Sequence, residues 1–216
     1  MKHSSFLLLG ICLLPFGCAP KEEMAADKPL GKRKVSYIRF LNLSSQPSSA
    51  KVDSVETYPS VEPESLTGGT VIGQQTQKIE FGSADKPTKG ETKPLAGTFL
   101  TVVKDNTGTL KFINSGECES FDSGAKVEIA NFTSKAVECE FEKKQFKVEP
   151  GTSATTATLS GSNSVTPKGM KPIEFQMQEK EIWTVYFYEM NGKVKAQAVR
   201  TKGPMKMIGA GASPSG

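Results

Sequence analysis

Tyr37-Ile-Arg-Phe-Leu-Asn42-Leu-Ser-Ser45 and Lys126-Val-Glu-Ile-Ala-Asn131-Phe-Thr-Ser134 carry the same pattern at two places in the chain. In each stretch, apolar residues alternate along a short run, an asparagine ends the run, and hydroxyl residues follow. Alternation with a period of two predicts a strand with one buried face. The asparagine predicts a side-chain cap on the turn after the strand. The repetition predicts that the chain contains two copies of one β unit.

A second pair of matching stretches strengthens this interpretation. Leu100-Thr-Val-Val103, followed by Asn106-Thr-Gly108, matches Trp183-Thr-Val-Tyr186, followed by Asn191-Gly192. A strand, an Asn/Gly turn and a returning strand are typical of a β-hairpin. We therefore expect a hairpin late in each repeat.

The whole region between these stretches has β character, because short alternating runs recur between Gly, Pro, Asn, Asp and Ser clusters. No window sustains helical spacing. The sequence predicts an all-β chain of two tandem Ig-like β-sandwich domains, residues 35–116 and 125–202, with a long Pro/Ser-rich loop at residues 46–69. The predicted strands are 35–42, 78–81, 99–104, 109–113, 126–131, 136–141, 146–148, 173–177, 182–188 and 193–199.

The N-terminal residues are typical of a bacterial lipoprotein signal peptide, predicted here over residues 1–17. Lys2 precedes an apolar run over residues 6–16, which is too short to span a bilayer. The run ends at Gly17-Cys18, which resembles the bacterial lipobox, although Pro15 stands where the usual leucine would be. We expect a lipid on Cys18; the alternatives are ordinary cleavage to a soluble secreted product or a retained anchor.

Residue composition and lipoprotein sorting predict the location of the protein and the nature of its two terminal segments. By resemblance to lipoprotein sorting, Ala19 favours the periplasmic face of the outer membrane. Residues 18–34 are predicted to form a flexible tether, and residues 203–216 a disordered tail. The membrane, through the lipid, is thus the first expected partner.

Two cysteines, Cys118 and Cys139, remain outside the predicted export signal. In an oxidising envelope they could form a disulfide, which would stabilise the fold by about 3 kcal/mol in the chain-entropy model. The alternative is a buried, reduced Cys139 and an unrelated Cys118.

The sequence offers little for catalysis or cofactor binding. The only histidine is His3, inside the predicted signal peptide, so we expect no triad and no His-ligated zinc site. No Gly-rich phosphate loop follows a strand. The net charge of +4, without a dense basic run, argues against a nucleic-acid partner. We expect no enzyme activity, no catalytic residue, no cofactor and no metal.

Aromatic residues lie on both faces of one predicted strand. Trp183 shares a face with Val185 and Phe187, and its match to Leu100 predicts a core position. Tyr186 and Tyr188 lie on the opposite face. They are candidates for contact with a partner protein or a glycan; the alternatives are a contact between the two domains and an ordinary cross-strand pair.

The strand openings at residues 35–44 and 125–133, together with the closing strand Ala196-Gln-Ala-Val-Arg-Thr201, resemble those of the alginate O-acetylation accessory protein family (alginate biosynthesis protein F-like). The resemblance covers most of residues 35–202. It implies a tandem β-sandwich in the periplasm that is not catalytic and acts beside acetyl-transferring partners in exopolysaccharide modification.

These observations predict a non-catalytic envelope lipoprotein that acts as an adaptor in exopolysaccharide O-acetylation or export. Its partners would be polysaccharide acetylation or export proteins. The alternatives are a carbohydrate-binding envelope lipoprotein, which would hold a polysaccharide itself, and a purely structural one.

Overall fold

The computed structural model describes residues 35–118 and 123–202. The predicted signal peptide, Cys18, the tether and the tail lie outside these residues. The described part contains no helix, and hence none that is long and apolar enough to cross a membrane. Its strands are β1 (Ser36–Asn42), β2 (Ser48–Val52), β3 (Val55–Val61), β4 (Ser65–Leu66), β5 (Thr70–Ile72), β6 (Gln77–Ser83), β7 (Lys86–Thr92), β8 (Thr98–Lys104), β9 (Leu110–Glu117), β10 (Ala125–Asn131), β11 (Val137–Phe141), β12 (Lys144–Val148), β13 (Ser153–Thr158), β14 (Gly161–Pro167), β15 (Ile173–Met177), β16 (Ile182–Met190) and β17 (Lys193–Lys202).

The same sheet topology occurs twice. In repeat 1, β1 pairs with β4 and β5 on one side and with β8 on the other, and β9 completes the sheet; the second sheet has the order β3-β2-β6-β7. In repeat 2, the corresponding orders are β13-β10-β16-β17 and β12-β11-β14-β15. The pairs β1–β8 and β10–β16 are parallel, and all other pairs are antiparallel. The prediction of an all-β chain built from tandem sandwiches is confirmed.

Each sandwich has its own apolar core between its two sheets. In repeat 1, Phe40 and Phe81 meet edge to face, with 5.1 Å between ring centroids. In repeat 2, Phe141, Val165 and Phe187 lie in one buried cluster. Alternate residues of β1, β8, β10 and β16 point into these cores, as the period of two requires.

The strand prediction succeeded where apolar residues alternate and failed where they are scarce. All ten predicted strands are present. Polar strands were missed, such as β7 (KPTKGET) and β13 (SATTAT), which lie at the edges of their sheets. Residues 46–69 were wrongly predicted as a loop, because this stretch forms β2, β3 and β4. Backbone pairing with a neighbouring strand holds such segments extended, although their side chains give no apolar period.

Two hairpins turn through residues that rarely adopt a positive φ. Asp53 and Ser54 link β2 to β3 with φ values of 49° and 69°, and Glu142 and Lys143 link β11 to β12 with 48° and 63°. These are two-residue turns of the I′ kind, in which both central residues need φ above zero. Of these four residues only Asp53 is of a type that I′ turns favour, so the sequence signal for a hairpin is weak at the first turn and absent at Glu142-Lys143.

Candidate functional site: the interface between the repeats

The sheets containing β1 and β10, called the inner sheets below, face each other across the interface between the repeats. Each buries one face in its own core and the opposite face against the other repeat. A cluster of buried side chains from both repeats lies there, with Leu41 and Val103 from repeat 1 and Tyr186, Tyr188 and Met190 from repeat 2. A smaller cluster joins Tyr37, Phe99 and Cys118 to Ile182.

A buried ion pair lies between these two clusters. Arg39 of β1 and Glu128 of β10 are 0% and 1% exposed, and both guanidinium NH groups donate to the carboxylate, at 2.6 and 2.9 Å. Arg39 and Glu128 occupy equivalent positions in the two repeats, since each lies three residues before the strand-ending asparagine. Equivalent positions meet when two copies pack through the same face about an approximate two-fold axis.

Hydroxyl groups complete the hydrogen bonding of the arginine. Its Nε donates to Thr101 Oγ1 at 2.7 Å, Nη1 donates to Thr184 Oγ1 at 2.8 Å, and Nη2 donates to Ser115 Oγ at 3.1 Å. With the two bonds to Glu128, all five N–H donors of the guanidinium are used. Thr101 and Thr184 are also equivalent, because each is the register partner of the charged residue in its own repeat.

The surroundings hold both charges in place. The Arg39 guanidinium lies over the Phe99 ring, 4.6 Å from its centroid. Burial raises the pKa of Glu128, but the Arg39 charge and the hydrogen bonds from Arg39 and Thr184 outweigh burial, so its pKa lies below the ordinary value. Gly116, at φ 61°, leaves room for the carboxylate, since a Cβ there would lie 2.6 Å from Glu128 Oε1.

Tyr186 and Tyr188 form a second polar group at the same interface. Their rings stack with 5.6 Å between centroids. Tyr188 Oη donates to the carboxylate of Glu64 at 2.8 Å, and Tyr186 Oη donates to the backbone carbonyl of Glu64 at 3.1 Å. Lys195 Nζ donates to the same carboxylate at 2.6 Å.

The structure buries Tyr186 and Tyr188, whereas the sequence made them candidates for contact with a partner protein or a glycan. They are 2% and 0% exposed, so a partner or a glycan cannot reach them in this structure, and the domain contact is the alternative that the structure shows. Burial raises the pKa of Tyr186 to about 12. The pKa of Tyr188 is raised further, by burial first and then by its hydrogen bond to Glu64. Both phenols therefore stay neutral hydrogen-bond donors near pH 7.

Cys118 and Cys139 are both buried and are not joined to each other. The Cys118 thiol lies at the end of β9 and donates to the carbonyl of Val35 at 3.1 Å. Cys139 lies in the core of repeat 2, where burial raises its thiol pKa to about 11. Of the two alternatives that the sequence left open, the structure shows the buried, reduced Cys139 and an unrelated Cys118, because the two residues belong to different clusters.

Trp183 lies on the core-facing side of β16 but remains half-buried. It stacks on Phe175 at 5.3 Å, and its indole NH donates to Glu181 at 2.9 Å.

The strand-ending asparagines do cap their turns, and they do so identically. Asn42 Nδ2 donates to the carbonyls of Gln46 and Val61, and Asn131 Nδ2 donates to those of Lys135 and Val148. Each Oδ1 accepts from the backbone N–H and the hydroxyl of the residue two positions on, which is Ser44 in repeat 1 and Thr133 in repeat 2. The predicted cap is confirmed in both repeats.

Sequence reasoning missed Arg39 and Glu128, although a signal was present. Each is a charged residue inside an otherwise apolar strand, and the two stand at matching positions of the repeat with opposite charge. That pairing indicates two faces that pack against each other.

No protein-family model matches the sequence, and no curated protein matches it. Among residues 35–118 and 123–202, no group of three or more His, Cys, Asp or Glu side chains is placed to hold a metal ion.

Proposed function

We propose that this protein is a non-catalytic lipoprotein of the bacterial cell envelope, held at the periplasmic face of the outer membrane by a lipid on Cys18. It acts as an adaptor in exopolysaccharide O-acetylation or export. Its partners are proteins of those processes.

The observation that carries the proposal is the Arg39–Glu128 pair. Both groups are fully buried, and every guanidinium donor is used within the protein. Such a network supports a positioning role, because a buried ion pair can fix the register of two packed surfaces. A fixed spacing between two sandwiches is what an adaptor needs to present two faces to its partners.

The second sheet of each repeat, which contains β2 or β11, is called the outer sheet below. Because Tyr186 and Tyr188 are buried, the outer sheets are the best candidates for the faces that contact partners. Along one row of the repeat 1 outer sheet, Glu56, Lys51, Glu80 and Lys89 are successive register partners, and Lys89 pairs with Glu80 at 2.8 Å. In repeat 2, Glu138 pairs with the exposed Lys168 at 2.6 Å. Charged rows of this kind favour specific but reversible protein contacts.

The membrane anchor is tested first. Cys18→Ser should abolish incorporation of labelled fatty acid and leave unprocessed precursor in the cell. Equal labelling in the variant would contradict a lipid at this position.

The adaptor role is tested by crosslinking in intact cells. Polysaccharide acetylation or export proteins should be recovered with the wild-type chain, and Lys51→Gln with Lys89→Gln should reduce that recovery while changing the melting temperature little, because both lysines are on the exposed face and no like charges are brought together. The purified protein should not turn over acetylated sugars. Turnover by the protein alone would overturn the proposal, and tight binding to a glycan without a protein partner would favour the carbohydrate-binding alternative.

A further inference from the structure

The large apolar side chains that remain exposed are concentrated at one end of the protein. Seven such residues are exposed within the described part of the chain. Five of these lie at the end where the chain enters at residue 35, which we call the entry end: Val35, Val55, Val71, Leu95 and Leu159.

Three of the five are neighbours around the start of β1. Val71 is the register partner of Tyr37, the second residue of β1. Leu95 precedes β8, and its carbonyl accepts a hydrogen bond from Ser36 Oγ at 2.8 Å. Val35 immediately precedes Ser36.

The other two occupy turns at the same end. Val55 follows the β2–β3 turn, where Asp53 accepts a bond from the backbone of Lys78 at the start of β6. Leu159 follows Thr158, the register partner of Ala125, which begins β10.

The two repeats have their strand starts at the same end. Ile182, the first residue of β16, packs with Tyr37 and Phe99 near the starts of β1 and β8. Lys202, the last residue of β17, donates to the carbonyl of Cys118 at 2.7 Å, at the end of β9. Leu159 and the repeat 1 residues therefore lie at the same end of the protein.

The remaining two exposed residues, Met170 and Val194, mark the opposite end. Both line one pocket of about 400 Å³ with Ala136 and Phe187. Met170 and Val194 therefore serve as control positions in an experiment that probes the entry end.

We propose that the entry end docks on the surface of a lipid bilayer, with Leu95 and Leu159 inserted at the boundary between headgroups and acyl chains. This inference rests on the proposed function, since the predicted lipid on Cys18 brings the protein to the membrane. Residues 18–34 are 17 residues long. Such a segment spans at most ~60 Å when extended and ~20–25 Å as a random coil. Because it joins the sandwiches at Val35, the entry end is the part held nearest the membrane.

Burial of apolar side chains is the driving force for this docking. The exposed charged residues in the turns at the entry end have both signs, with Asp53, Glu142 and Glu179 beside Lys93, Lys143 and Lys180. Docking by the apolar side chains should therefore not require anionic lipid.

The test uses a chain in which a hexahistidine segment replaces residues 1–18, held on nickel-chelating phosphatidylcholine vesicles. This tether works whether or not Cys18 is naturally lipidated. A polarity-sensitive fluorophore is attached to a single introduced cysteine in Leu95→Cys, Leu159→Cys, Met170→Cys or Val194→Cys. The native thiols of Cys118 and Cys139 are buried and stay unlabelled.

We expect the labels at positions 95 and 159 to shift to shorter wavelength and to be quenched by a spin-labelled lipid, while those at 170 and 194 do neither. Adding Leu159→Asp should remove the response at position 95. Equal responses at both ends, or none at either, would overturn the inference. So would a dimer, seen by sedimentation of the untethered chain, that buries the label at position 159. The Cys18→Ser experiment is separate, so a failed anchor and a failed docking surface give different results.

Discussion

Arg39 and Glu128 are buried charges, and each depends on the other for its stability inside the protein. Removing one charge leaves the other inside the protein without compensation, which typically costs about 3–5 kcal/mol. That is a large part of the 5–15 kcal/mol by which a typical domain is stable. The same residues could be replaced together by apolar side chains at much smaller cost.

Glu128→Gln should therefore destabilise the protein by about 3–5 kcal/mol, because Arg39 keeps its charge and loses its counter-ion. Urea unfolding measures the change. The control is Glu138→Gln, which breaks an exposed pair with Lys168 and should change stability little, because solvent screens that pair.

Arg39→Met combined with Glu128→Leu should recover much of the lost stability, since neither charge remains. A Glu128→Gln variant as stable as the Glu138→Gln control would show that the pair contributes little.

Stability should also fall in acid in a way that depends on Glu128. The folded-state pKa of this carboxyl is lowered, so its contribution is fully present above the unfolded pKa of about 4.3 and is lost as pH falls through the folded pKa. Between pH 6 and pH 3, the urea midpoint of the wild type should drop more steeply than that of Glu128→Gln. Parallel curves would place the acid sensitivity elsewhere.

At the level of single elements, the β11–β12 hairpin turn contains a residue in an unfavourable backbone conformation. The β11–β12 turn places Lys143 at φ 63°, a conformation that costs a residue with a Cβ about 1–2 kcal/mol. Glycine adopts it without a steric penalty but loses more backbone entropy on folding.

Lys143→Gly should raise stability by about 0.5–1 kcal/mol, because relief of the unfavourable φ exceeds the entropy cost. Lys144→Gly is the neighbouring control: Lys144 is the first residue of β12, where glycine should destabilise by a similar amount. The melting temperatures of the two variants should move in opposite directions. A loss of stability in Lys143→Gly would contradict the strain assigned to this turn.

The interface decides how the whole molecule unfolds. Each repeat has its own core, yet Tyr186, Tyr188 and Met190 of repeat 2 lie outside it, in the cluster shared with repeat 1. An isolated repeat would expose this face to water.

The two repeats should therefore unfold together. Trp183 is the only tryptophan and reports on repeat 2, whereas far-UV circular dichroism reports on both repeats. In the wild type the two signals should give coincident urea transitions. In Glu128→Gln they should separate, because the contact that couples the repeats is weakened.

A fragment starting at Gly124 should form β structure but self-associate, since the exposed inner face is apolar. The full chain should remain monomeric under the same conditions. Separate transitions in the wild type, or a fully monomeric fragment, would count against coupling through this interface.

The amino-acid sequence by itself determined the β class, the duplication and the asparagine-capped turns. These follow from local patterns: the alternation in residues 37–41 and 126–130, and the side chains of Asn42 and Asn131 bonding within their own turns. Polar strands such as β7 and β13 were not predictable, because backbone pairing across the sheet, rather than side-chain period, holds them extended.

Only the tertiary structure decided what the outward faces of β1, β10 and β16 contact. Alternation shows that four side chains point away from their own cores: Arg39, Glu128, Tyr186 and Tyr188. The same alternation would be found whether this face contacts solvent, a partner protein or the second repeat. Which of these applies depends on how one sandwich packs on the other, a relation between residues 89 positions apart in the chain. A charge that would be solvated on an exposed sheet is thereby turned into the buried pair that joins the repeats.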